Sequence, residues 1–85
     1  MEKIYITNQV KLEILNIGGL ASTQPYNLNG FTPLFTLGYS NFPHCKILED
    51  RLQSIAIQYN TGKLILPDSI SEDLTVKQCI ELVMM

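Results

Sequence analysis

The chain has 85 residues, 46% of them hydrophobic and 16% charged, with a net charge of −2 at neutral pH. Those figures argue against a disordered tail, a membrane span and an electrostatic nucleic-acid binder. No run approaches the ~18 apolar residues that cross a bilayer, and the basic residues are scattered rather than gathered into a stripe, so nucleic acid is an unlikely partner. One domain over residues 1–85 is expected, with a marginal stability of about 4–13 kcal/mol.

Charged residues usually make up about 25% of a globular chain, so this surface is partly apolar or neutral-polar, which favours association with a partner or with itself. The two cysteines, Cys45 and Cys79, are too few for a disulfide-built secreted scaffold. The N-terminus lacks the charged-then-apolar-then-small pattern of a signal peptide. A cytoplasmic protein with reduced thiols is the expectation.

In chain order, the first element is predicted as a β-hairpin over Met1–Ile17. Ile4, Ile6, Val10, Leu12 and Ile14 all fall on even positions, the period of a strand with one buried face. A loop at Thr7, Asn8 and Gln9 pairs Ile6 with Val10 and Lys3 with Glu13. The rival reading is a helix over residues 8–17 stopped by Gly18 and Gly19; the alternation favours strands. Gly18–Gly30 is loop by composition, and long for so small a domain. Over Phe31–Cys45, Pro33, Gly38 and Pro43 break any long element. Leu34–Leu37 suits a short strand or a helical turn with Thr32 as cap and Pro33 in its first position.

Lys46–Tyr59 is predicted as a helix, with Leu48, Leu52, Ile55, Ala56 and Tyr59 in one sector. Ile47 and Ile57 violate that stripe, either as partner contacts or as signs that Ile55–Tyr59 is a strand joined by Asn60–Gly62 to the next. Lys63–Leu66 is predicted as a strand ended by Pro67. The last helix starts at Thr75, whose capping box is completed by Gln78, with Leu74 and Cys79 placed as a hydrophobic staple. Val76, Cys79, Ile80 and Val83 form its buried stripe. The apolar end at Met84 and Met85 frays unless something covers it, which makes those two residues the candidate oligomer contact.

These elements add up to an α+β fold, a small antiparallel sheet of three to four strands with two helices packed on one face. The expected core is Ile4, Ile6, Val10, Leu12, Ile14, Leu48, Leu52, Ile55, Leu64, Leu66, Val76, Ile80 and Val83.

Catalytic signals are weak. His44 stands beside Cys45, but adjacent residues in an extended segment face opposite ways, so a Cys–His nucleophile pair is hard to build there. Structural zinc takes four ligands, usually cysteine or histidine, and the chain has three such residues. No metal and no cofactor is expected. Asp68, Glu72 and Asp73 lie just ahead of a helix N-terminus, where negative charge is stabilising. Gly18-Gly19 lacks the lysine and the fuller glycine pattern of a phosphate loop.

Five of the seven aromatic residues fall between positions 26 and 42: Tyr26, Phe31, Phe35, Tyr39 and Phe42. No lysine or arginine lies among them, against the pattern of a single-strand nucleic-acid binder. These rings either finish the core or, with Asn27 and Asn29 as polar neighbours, form a binding surface. The expected function is therefore that of a non-enzymatic protein-interaction module which also forms a homodimer. Its size and composition are those of small accessory proteins such as inhibitors, immunity proteins and antitoxins. The alternative is a small-ligand binder using the loop region 18–42.

Overall fold

A computed structural model describes residues 2–20, 24, 27–40 and 42–84, and of Glu2 and Phe42 the backbone alone. Among the described residues the protein is all-helical: α1 (Glu2–Ile17), a 3₁₀ turn (Leu34–Leu37), α2 (Phe42–Gln58) and α3 (Val76–Met84). The three α-helices pack pairwise on one another. Among these described residues no strand is present, and the β-type pairing is a single antiparallel bridge between Pro33 and Thr75. The α+β expectation, with its sheet of three to four strands, is thus corrected. No described helix is long and apolar enough to cross a membrane.

The expected hairpin is α1 because Ile6, Val10 and Ile14 recur every four residues. That interval satisfies a period of two and lies close to the 3.6 of a helix. All three are buried, and so is Leu15, an odd-numbered residue that a strand would have turned to solvent. Ile4 and Leu12, needed inside by the strand reading, are exposed. Thr7-Asn8-Gln9 also lacks the glycine that tight hairpin turns favour. The helix stops in a Schellman motif at the glycine pair of the rival reading. Gly19 sits at φ 80°; its N–H reaches Asn16 O at 3.2 Å, and Leu20 N–H reaches Leu15 O at 2.7 Å.

Helix α2 holds the predicted stripe, with Cys45, Leu48, Leu52, Ile55 and Ala56 buried and Tyr59 packed against them. It starts earlier than Lys46 because Pro43 falls in its first turn, where a missing N–H costs nothing. It closes on a second Schellman motif, with Asn60 at φ 54° and Thr61 N–H bonded to Ala56 O at 3.0 Å.

The predicted strand Lys63–Leu66 has no neighbouring strand. The Gln53 carboxamide takes that place, accepting from Ile65 N–H at 2.8 Å and donating to Lys63 O at 3.3 Å. Ile65 is the residue turned inward, so Leu64, 74% exposed, and Leu66 leave the expected core. Helix α3 starts as predicted. Gln78 Oε1 accepts from Thr75 N–H at 2.9 Å, and Thr75 Oγ1 accepts from Gln78 N–H at 3.3 Å, which is the capping box. Val76, Cys79 and Val83 are buried, and Leu74 and Ile80 pack against the core.

Candidate functional site

The aromatic segment is fastened to the start of α3 and the residues just ahead of it by backbone hydrogen bonds. Lys77 N–H bonds Gly30 O at 2.7 Å, Val76 N–H bonds Thr32 O, Leu34 N–H bonds Leu74 O at 2.8 Å, and Phe35 N–H bonds Glu72 O. The first of these satisfy N–H groups that a helix start leaves without intrahelical partners. Asn29 tightens the approach: its Oδ1 accepts from Phe31 N–H at 2.8 Å and its carbonyl from Thr32 N–H. This is an Asx turn, so Asn29 shapes the backbone that carries the rings.

That scaffold sorts the rings. Leu34, Leu37 and Tyr39 point inward, and Tyr39 is fully buried with its hydroxyl donating to Ile14 O at 2.7 Å. Burial pushes the Tyr39 phenol up, with the neighbouring thiols adding to it. The Tyr39 ring belongs to the core. Phe31 and Phe35 point outward, 73% and 50% exposed. Lys77 Nζ lies over the Phe31 ring, 5.5 Å from its centre, a cation–π contact. Asn27 is exposed nearby in sequence. Tyr26 and the Phe42 side chain lie outside the described residues. Of the predicted oligomer contacts, Met84 is half-buried against the core of its own chain, and Met85 lies outside the described residues.

The histidine and thiols are held in structural positions. His44 Nδ1 donates to Gly38 O at 2.7 Å, and its ring stands edge-on to Tyr39 with centroids 6.1 Å apart. Cys45 is buried, its thiol directed at Tyr39 O at 3.5 Å. Burial, then the nearby Glu72 carboxylate, pushes its pKa up. Burial, then Cys45, pushes Cys79 up to about 12. Both thiols therefore stay protonated at neutral pH, the poor state for a nucleophile. Asp68 is drawn to Lys46 at 2.9 Å. Among the described residues no group of three or more His, Cys, Asp or Glu side chains is placed to hold a metal.

A shallow depression of about 360 Å³ lies between Tyr39, Ser40, Cys45, Asp68, Ile70 and Glu72. Sequence reasoning missed it because residues 39–45 and 68–72 meet only once α2 has formed. It also missed Lys77, whose place over Phe31 follows from the pairing of residues 30–35 with 72–77. No family model matches the chain, and no curated protein or solved structure shows significant similarity to it.

Proposed function

We propose that the protein is a non-enzymatic interaction module that acts by binding another protein, in the manner of small inhibitors, immunity proteins and antitoxins, through the surface carrying Phe31 and Phe35. One observation carries this reading: two large rings, 73% and 50% exposed, stand on a backbone that four hydrogen bonds fix to the first residues of α3 and to Glu72 and Leu74 just ahead of it. Aromatic anchors bury large areas at low entropic cost, and a fixed backbone reduces the ordering cost of docking. Asn27 and Lys77 supply a polar rim.

The test places a photoreactive benzoylphenylalanine at position 31 or 35 in the cells that make the protein. The same crosslinked species is expected from both positions and none from an equivalent probe at the exposed Gln58 on α2. Crosslinking at background level from both ring positions overturns the reading. The rings should also separate by role in urea denaturation. Phe31→Ala and Phe35→Ala each cost about 0.5–1.5 kcal/mol, for the lost cation–π contact and for the half-buried ring, whereas Tyr39→Ala costs about 3–5 kcal/mol.

A second reading, a small-ligand site, is favoured by the depression beside Tyr39 and Ser40. Its volume is within the usual range for small-molecule pockets, and Asp68 and Glu72 stand at its edge. A stable added mass in native mass spectrometry of the purified protein, lost on Ile70→Trp, supports it; the bare chain mass counts against it.

A further inference from the structure

Of the chain's asparagines, Asn29 alone is followed by glycine. An asparagine carboxamide is open to attack at Cγ by the backbone nitrogen of the next residue, and a glycine there has no side chain to obstruct the approach. The turn holds the groups for that reaction together. Asn29 is exposed, and its Oδ1 accepts from Phe31 N–H at 2.8 Å. The bond closes a ring of atoms that contains both Cγ of Asn29 and the Gly30 nitrogen, so electrophile and nucleophile share one turn. Attack at Cγ puts negative charge on Oδ1, and a hydrogen-bond donor to that atom is already in place. The Gly30 N–H has no hydrogen-bond partner among the described residues, so no bond has to break to free it.

We propose that Asn29–Gly30 is a self-modification site, at which the folded chain converts Asn29 to isoaspartate and aspartate and so alters the surface around Phe31. A solvent base takes the Gly30 amide proton. The Gly30 nitrogen bonds to Asn29 Cγ, and the Cγ–Nδ2 bond breaks with loss of ammonia, which takes up a proton from water. The succinimide ring left behind is opened by water at either carbonyl. Opening at Cγ gives aspartate, and opening at the main-chain carbonyl gives isoaspartate; no oxidant or reductant enters. Isoaspartate lengthens the main chain by a methylene directly ahead of Gly30. It also turns the Asn29 carbonyl oxygen, the acceptor for Thr32 N–H at 3.1 Å, into part of a free carboxylate. The residues displaced are those that anchor the segment, Gly30 O accepting from Lys77 N–H and Thr32 O from Val76 N–H. The new negative charge appears one residue from Gly30, against which the Lys77 stem lies. It attracts the ammonium that otherwise stands over the Phe31 ring. An effect on binding rests on the docking role proposed for Phe31; the chemistry at Asn29 does not.

Incubation of the full chain at mildly alkaline pH tests it, read by peptide mapping and by methyl transfer from S-adenosylmethionine with protein isoaspartyl methyltransferase. The peptide holding Asn29 should gain about one dalton, oxygen replacing NH, and become a methyl acceptor, faster as pH rises. Gly30→Ala keeps the carboxamide and sets its methyl at ordinary contact distance, 3.5 Å from Lys77 Cβ. Its conversion should be slower by about tenfold or more, because the methyl crowds the attack. Asn29→Ser, whose hydroxyl also forms the turn, should show no gain in that peptide. In the converted protein the Val76 and Lys77 amides should exchange with deuterium faster than in the fresh one. A folded chain that keeps the Asn29 amide while the urea-unfolded chain loses it overturns the proposal, since the turn then protects the residue. Equal rates in the parent and Gly30→Ala overturn it as well, and unchanged amide exchange overturns the effect on the Phe31 segment. Background crosslinking from position 31 alongside normal conversion would sink the docking surface and leave the modification standing.

Discussion

Gly18, just past the end of α1, lies against the last residue of the 3₁₀ turn. A Cβ built on Gly18 collides with Leu37 O and lies 3.2 Å from Ile14 O, both backbone atoms that cannot swing aside. Gly62 is the opposite case: its φ of 78° disfavours a side chain, yet nothing lies within 4 Å of an added Cβ. Gly62→Ala should cost about 1–2 kcal/mol of left-handed strain. Gly18→Ala must push the turn carrying Tyr39 off α1, and overpacking of that kind costs about 1–3 kcal/mol or more. Urea titration of both variants checks the order, and equal losses would count against the close approach. Cys79 sets a pH dependence. The unfolded chain releases this proton near pH 9 and the folded chain only near 12. Between those values the unfolded state binds fewer protons, so stability present below pH 9 is lost as pH rises, by about 1.4 kcal/mol per pH unit. Tyr39, whose phenol is also pushed up, adds to the slope above pH 10. Cys79→Ala should be less stable at pH 7 and lose less between pH 9 and 10. An unchanged slope would mean that the thiol titrates alike in both states.

At the scale of elements, the start of α3 was the most legible part of the chain, because a capping box is a local device that needs no tertiary partner. Thr75→Ala should cost about 1 kcal/mol. Gln78→Ala in the Thr75→Ala background should cost less than in the parent, since the two side chains satisfy each other's backbone. A double-mutant cycle by thermal denaturation measures that coupling, and additivity of the two losses would contradict the reciprocal bonds. Helix α2 was legible in its stripe, and the exposure of Ile47 and Ile57 explains why they broke it. Helix α1 was misread for a physical reason. Its β-branched residues at 4, 6, 10 and 14 carry a weak strand preference, and a spacing of four fits both periods; Leu15 and the glycine pair after Ile17 were the evidence for a helix. The segment Lys63–Leu66 defeated the reading differently. Its alternation is real, but Lys63 O and Ile65 N–H bond to the side chain of Gln53, and nothing local announces such a partner. For the candidate site, the sequence located the aromatic segment. It could not separate Tyr39 from Phe31 and Phe35, because that sorting depends on the pairing of residues 30–35 with the start of α3.

For the whole molecule, charge is a minor part of what holds it together. Ion pairs link side chains of α1 and α2 and tie Asp68 to α2. Lys46 to Asp68 joins two partly exposed side chains, Lys46 to Glu49 is an i,i+3 contact at 3.5 Å, and Arg51 to Glu13 is 3.8 Å long. The exposed Lys46–Asp68 pair contributes about 0–1 kcal/mol and is screened by salt, while Glu49 and Glu13 are the more buried partners, their side chains 11% and 17% exposed. The core instead runs without interruption from Ile6 and Val10 through Leu34 and Tyr39 to Leu52 and Val83. The surface carrying Phe31 and Phe35 is likewise neutral apart from Lys77. From ~0.1 M to ~1 M sodium chloride the screening length falls from ~10 Å to ~3 Å, and the unfolding free energy should move by no more than about 1 kcal/mol. Sulfate should raise it, because excluded salts favour burial of apolar surface. Urea titration at both salt concentrations makes the measurement. A steep loss of stability as sodium chloride rises would mean that ion pairs, rather than the apolar core, hold the helices together.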